Sequence, residues 1–336
     1  MTPRKPTLHD VAAGAGVSIA AASFALRGKT GVSDDTRDRV LAVARELGYR
    51  VNVPARSLRT ARSAAVGLLL PVGTTHLPYY TDFAFGVVDA ADRHGLSVIL
   101  LPHRDDAAGG APSAFVDGYI VIDASVEDVG VRALLDSGRP VVSGEHVFGA
   151  AGRASASVAI DHTGALARLL DHLYERGAQN IAAILPPDGT AWSRELAETY
   201  ARWTSDRGRR HISRHISFVP TTDEVSAAVS DVLDIPGVDA LVVAPSGSAP
   251  ATLAAAARAG RRVGDDLLVA ACVDEPAHAL LSPTVTSIDL EARALGSACL
   301  DLLVEVWDAG ELADPVRVAE ARLIVRGSTA GRRPAV

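Results

Sequence analysis

The sequence predicts an α/β protein: a helix-turn-helix module of three helices at the N-terminus, then a long body of parallel sheets flanked by helices. Three observations predict it. Apolar residues recur at helical spacing across a central glycine in "TLHDVAAGAGVSIAAASFALRG", Thr7 to Gly28. Beyond residue 62, short strand-like apolar runs alternate with helix-period segments. Charge is divided unevenly, with 11 basic and 5 acidic residues over 1–62 giving +6, against −13 over the rest of a chain whose total is −7.

Each N-terminal element has its own start and stop signals. Thr7 with Asp10 forms a capping pair that opens a short helix, and Gly14 to Gly16 closes it. Ser18 caps a second helix from Ile19 to about Leu26. Ser33 caps a third, with Asp34 and Asp35 in its positive first turn and Val40, Leu41, Ala44 and Leu47 at three- and four-residue steps. Two short helices joined by a tight glycine-containing turn and braced by a third are a helix-turn-helix. The same pattern suits a small helical bundle without a ligand; the local basic charge favours a polyanion such as DNA.

In the body, "AAVGLLLP", "SVILLP", "DGYIVID", "RPVVSG", "NIAAILP", "ALVVAP" and "LLVAACV" read as buried strands, with a further strand expected at "ISFVP". At 336 residues and 48% hydrophobic, the chain is long for one sheet. Cys272 and Cys299 lie in apolar contexts, as buried free thiols do. No apolar run approaches the ~20 residues that span a bilayer, and no signal-peptide h-region is evident, so no membrane partner and a cytoplasmic location are expected.

Catalytic signatures are missing as well. There is no G-x-x-x-x-G-K-[ST], no G-x-G-x-x-G after a strand, no G-x-S-x-G and no zinc-ligand cluster. His211 and His215 in "HISRH" read as a solvated basic loop rather than a metal site. The expectation is a protein that is not an enzyme, with no cofactor.

"TLHDVAAGAGVS", "GVSDDTRDRVLAVARELGY" and "NVPARSLRT" resemble, without a gap from Thr7 to Thr60, the N-terminal signature of the lactose-repressor (LacI/GalR) family of bacterial transcription regulators. Weaker matches follow at "RPVVSG", "VAIDHTGALARLLDHLYERGAQNIAAI" and "LIVRGSTA". The resemblance implies a DNA-binding domain at 1–50, a hinge helix or linker at 51–62, and a two-lobed body like a periplasmic binding protein at 63–336. Its first lobe would hold about 63–160 plus 290–318, and its second about 161–289 plus the C-terminal segment. It also implies a homodimer that represses transcription from a pseudo-palindromic operator in double-stranded DNA, controlled by a small-molecule effector.

By that resemblance Ile19, Ala20 and Phe24 face the base edges. None of the three can hydrogen-bond a base, so they read thymine methyls and shape; a helix that no longer discriminates bases is the competing reading. Ser18, Ala21, Ser23, Arg27 and Lys29 would hold phosphates, with Arg27 a candidate base contact. Thr7 and Asn52 join the DNA-contacting set. In the linker, Leu58 takes the place of the leucine that wedges into the minor groove, Ala55 the place where paired hinge helices meet, and Arg56 and Arg59 suit phosphates. Val51 and Pro54 depart from the family pattern, and "HRDDAAGGAPSAF" replaces a longer helical segment, so the first lobe is expected to be trimmed there.

The effector site departs further. The family's sugar-clamping arginine falls on Leu196 and its glycine on Thr199; its Asn-Asp pair falls on Pro245-Ser246, and its paired aspartates on Val273-Asp274. Losing these clamps argues against an ordinary hexose and for a less polar or aromatic effector. Tyr79, Tyr80, Asp161, Trp192, Arg194, Ser246 and Asp274 are the expected cleft residues, with the aromatic rings stacking on the ligand. A repressor without a small effector, and a solute-binding module, are the alternatives.

Overall fold

The computed structural model describes residues 6–26, 31–49, 63–103, 115–149, 153–310 and 312–330. The chain forms two compact units, residues 1–64 and 65–336. Arg27, Lys29, Asn52, Ala55, Arg56, Leu58 and the segment 104–114 lie outside the described residues, as does the whole expected hinge helix.

The first unit contains helices α1 (Leu8–Ala15), α2 (Ile19–Leu26) and α3 (Asp34–Glu46). Thr7 and Asp10 cap α1 reciprocally: the Asp10 amide donates to Thr7 Oγ1, and the Thr7 amide donates to Asp10 Oδ2 at 2.8 Å. Gly16 ends it in the left-handed region at φ 65°, where a Cβ would be strained, and the chain turns through 100° into α2. The Ala21 amide donates to Ser18 Oγ at 3.1 Å, and Ser33 caps α3. Val11, Ala12, Ala15, Ala22, Ala25, Val40 and Ala44 make one small core. Arg39 Nε donates to the Ala15 carbonyl at 3.0 Å, tying α3 to an acceptor at the end of α1, where helical carbonyls lack intrahelical partners.

The second unit holds two six-stranded sheets. In chain order it runs β1 (Ala65–Leu69), α4 (Pro78–His94), β2 (Ser97–Leu100), β3 (Gly118–Ile122), α5 (Val129–Leu135), β4 (Val141–Gly144), β5 (Ala156–Ile160), α6 (His162–Glu175), β6 (Ile181–Leu185), α7 (Ala191–Asp206), β7 (Ser213–His215) and α8 (Thr222–Leu233). It continues with β8 (Ala240–Val243), α9 (Ala249–Arg258), β9 (Leu268–Ala271), β10 (Thr286–Asp289), α10 (Ala292–Ala309), β11 (Val316–Ala319), β12 (Arg322–Ile324) and α11 (Gly327–Ala330).

Strand order is β11-β5-β4-β3-β1-β2 in the first sheet and β12-β10-β9-β8-β6-β7 in the second. All pairings are parallel except that of β12 with β10. The central strands are apolar throughout because helices cover both faces of such a sheet; β1, β3, β4, β5 and β6 are buried at every residue.

The chain passes between the sheets three times: from β5 into α6, from β10 into α10, and from β11 into β12. Two of these passages are tied by the Asp161 amide donating to the Ala319 carbonyl at 3.3 Å and by Arg168 donating to the Ala321 carbonyl at 3.0 Å. Helix α4 packs on α10 with very close backbones. A Cβ on Gly86 would lie 2.0 Å from the Arg293 carbonyl oxygen, and one on Gly296 would lie 2.1 Å from that of Phe83.

One strand is displaced from its sequence-based position. "ISFVP" was the expected strand, but β7 forms just before it, with Ser213 opposite Ala183. The following residues bury Ile216 and turn Phe218 toward the interior, because Ile216 completes the core beneath α8. Both cysteines are free and buried, and burial pushes the Cys272 thiol up to about 12. Among the described residues, no single helix is long and apolar enough to cross a membrane, and no group of three or more metal-ligating side chains is present.

Candidate DNA-reading helix and body cavity

On α2, Ile19 and Phe24 are 48% and 40% exposed, and Ala20 is exposed beside them. Together they form a small exposed apolar patch on the face of α2 opposite its core side. Ala22 and Ala25 face inward. Thr7 and Ser18 are exposed, and Ala21 is partly so. Ser23 is the correction here: it is buried with Ala22 and Ala25, whereas a phosphate contact was expected of it.

In the body, a cavity opens where the carboxyl ends of both sheets meet, as expected of ligand sites in open α/β sheets. The first sheet supplies Asp123 after β3 and Glu145 after β4, and the start of α4 supplies Leu77, Tyr79 and Tyr80. His162 opens α6. The second sheet supplies Ser246, Val273 and Leu290 after β8, β9 and β10, with Trp192 from the first turn of α7 and Phe218 beyond β7.

The polar floor is acidic. Tyr80 Oη donates to Asp123 Oδ2 at 2.8 Å, and burial, then the neighbouring Glu145 charge, lifts the Asp123 carboxyl to about 7. Glu145 faces His162 Nε2 at 3.0 Å and accepts from the Ile160 amide at 3.3 Å. Burial alone would lower the His162 value, but the Glu145 carboxylate outweighs it and holds the imidazole above its ordinary range. Burial, reinforced by the Asp123 charge, pushes both tyrosine hydroxyls well up. Asp123 and Glu145 both sit in the left-handed region, at φ 47° and 70°, a strain that clusters at functional sites.

The upper wall is aromatic. Trp192 meets Phe218 edge-on with ring centroids 5.8 Å apart, and Tyr79 meets Tyr80 the same way at 5.1 Å. Trp192 Nε1 is buried with no hydrogen-bond partner.

Tyr79, Tyr80, Trp192 and Ser246 of the expected cleft set therefore line the cavity, and three others do not. Asp161 is exposed and caps α6, accepting from the Gly164 amide at 2.8 Å. Arg194 reaches outward to Asp188 at 2.7 Å, with its guanidinium 4.4 Å above the Phe148 ring. Asp274 is held by Arg326 at 2.6 and 3.1 Å and by Ser287. Burial opposes its ionisation, but the contacts of His278, Arg326 and Ser287 overcome that and hold its carboxyl well below the usual range. Each polar group has a nearer partner than the cavity. Sequence reasoning missed Asp123, Glu145 and His162, although the first two directly follow strands that it had marked, where α/β sheets carry their sites.

Comparison with known proteins places this architecture. Residues 7–52 match the family model for bacterial regulatory proteins of the lacI family, and residues 170–329 match that for a periplasmic binding protein-like domain. The HTH-type transcriptional regulator CelR of Thermobifida fusca is 30% identical over 336 residues, covering 97% of this chain and 98% of its own. The chain belongs to the LacI family. This LacI-family chain is a DNA-binding transcriptional regulator and not an enzyme. The ribose operon repressor of Halalkalibacterium halodurans is 25% identical, with 97% of each chain covered. A solved CelR–cellobiose complex matches with a TM-score of 0.71 at 26% identity, covering 96% of this chain and 99% of the other. The lac repressor dimer bound to operator and the anti-inducer ONPF matches at 0.77 with 22% identity and 97% and 99% coverage, a likeness of fold.

Proposed function

We propose that this LacI-family regulator acts in the cytoplasm as a homodimer that represses transcription from a pseudo-palindromic operator, and that a small molecule in the body cavity sets its DNA affinity. The observation that carries the effector part is the cavity itself, walled by the carboxyl ends of both sheets beside the three chain passages. A ligand touching both lobes binds their alternative arrangements with different strength, and that difference shifts the DNA-competent population.

The relative's complex with cellobiose supports a small organic ligand as the effector. The ligand differs from an ordinary hexose, because Leu196 is core and Val273 presents an apolar wall where polar sugar clamps stand in the family. On the DNA, Ile19, Ala20 and Phe24 pack on thymine methyls, with phosphates held by Ser18, Ala21, Thr7, Arg27 and Lys29. Asn52, Ala55, Arg56 and Leu58 form the linker's contacts.

Selection of duplexes from a random pool by the full chain tests the DNA part, and retitration of the winner with candidate effectors tests the rest. Inverted half-sites containing thymine steps are expected, together with an operator affinity that shifts with an effector. Enrichment of no sequence would defeat the specific-regulator reading. An operator affinity unmoved by every candidate would defeat the effector reading alone.

A further inference from the structure

Resting on that reading of the cavity as an effector site, we infer that its ligand is cationic: a protonated amine on an apolar or ring body that also carries a hydrogen-bond acceptor. The charge balance of the wall carries the inference. Two carboxylates, Asp123 and Glu145, line the cavity, and His162 is the one cationic side chain among the described lining residues. His162 is already engaged by Glu145 at 3.0 Å. The nearby arginines are committed elsewhere, Arg194 to Asp188 and Arg326 to Asp274. Asp123 is left with a neutral hydrogen-bond partner, the Tyr80 hydroxyl, and the only cation acting on it is His162, which Glu145 already holds. A buried carboxylate in that position calls for a cation.

The second, independent observation is Trp192. Its side chain is 7% exposed and lines the cavity, and its buried Nε1–H meets no acceptor among the described residues. Buried donors are rarely left unpaired, so the ligand supplies an acceptor there while its charged end meets Asp123. Between the two, Leu77, Phe218 and Leu290 offer an apolar flank to a ring or chain. A neutral polyol meets the hydrogen-bond demand but leaves the charge unbalanced; an ammonium group meets both.

The carboxyl near 7 adds a proton signature. Asp123 faces Tyr79 and Tyr80 from α4, Glu145 from the end of β4 and His162 from α6, with His103 and Asp128 lining the adjoining hollow that it also borders. A cation binding beside it favours the ionised form, so binding at pH 7 expels about half a proton and tightens roughly tenfold from pH 6 to pH 8. His162 shifts in the same sense, since losing its proton leaves the wall more negative. An aliphatic ammonium stays charged over this range.

The test is calorimetric titration of the full chain with tyramine and propylamine, each against its hydroxyl counterpart, tyrosol and 1-propanol, with cellobiose as the neutral sugar. At least one amine is expected to bind tenfold or more tightly than its counterpart, with heats that vary with buffer ionisation. Asp123→Asn, still melting cooperatively and still binding operator, is expected to erase that preference. Tyrosol, 1-propanol or cellobiose binding as tightly as the amines would overturn the charge inference and leave the effector cavity in place. Binding of neither amine would overturn it too, and binding of no compound, with an operator affinity that no effector moves, would remove the effector reading beneath it.

Discussion

Replacing Asp123 by asparagine should make the unliganded protein more stable, and increasingly so as pH rises. The side chain is buried, and its carboxyl lies at about 7 in the folded protein against an ordinary 3.8. Because the folded value is the raised one, the folded state binds more protons than the unfolded chain between these values. Stability from this group is therefore complete below pH 4 and is lost as pH climbs through 7. The whole difference corresponds to about 4 kcal/mol, and about 2–3 kcal/mol of it falls between pH 5 and pH 8. Asparagine cannot ionise, yet its amide oxygen still accepts from Tyr80 Oη.

Urea unfolding followed by tryptophan emission reads this directly, because all three tryptophans, Trp192, Trp203 and Trp307, lie in the body. With full chains at matched concentrations, the stability difference between variant and parent should grow in the variant's favour by about 2–3 kcal/mol from pH 5 to pH 8. A difference flat across that range, or one that shrinks, would refute the buried-carboxylate account. The mechanism fits a binding site: a charge kept without its partner costs stability that a ligand restores.

Other perturbations read other parts of the molecule. Gly296→Ala, although alanine favours helices, should destabilise the body by about 1–3 kcal/mol, since its Cβ would meet the Phe83 backbone oxygen of α4 at 2.1 Å; an unchanged urea midpoint would show that the two helices can part freely. Phe24→Arg should shift the selected half-site toward guanine at one position by about 1–3 kcal/mol of discrimination; an unaltered selection profile would show that Phe24 does not face the bases.

Legibility followed the range of the forces involved. Thr7, Asp10, Gly16, Ser18 and Ser33 act on atoms within a few residues of themselves, so the three N-terminal helices could be read from the chain, while the outward set Ile19, Ala20 and Phe24 came from the family resemblance. Apolar runs marked the buried strands for the same reason, since burial on both faces demands apolar residues at every step. β7 escaped because its three residues, Ser213, Arg214 and His215, form a partly exposed edge without such a run.

The sequence by itself thus determined the reading helix, the class of the body and the family. Tertiary structure alone decided the cavity. Asp123 and Tyr80 stand 43 positions apart, and Glu145 and His162 stand 17 apart; each pair meets because parallel pairing aligns the ends of β3, β4 and β5 beside the starts of two helices. Asp161, Arg194 and Asp274 looked equally suited by chemistry, and they are drawn away by Gly164, Asp188 and Arg326. A polar side chain goes to the partner that folding brings within about 3 Å, and that partner is set by strand register and helix packing.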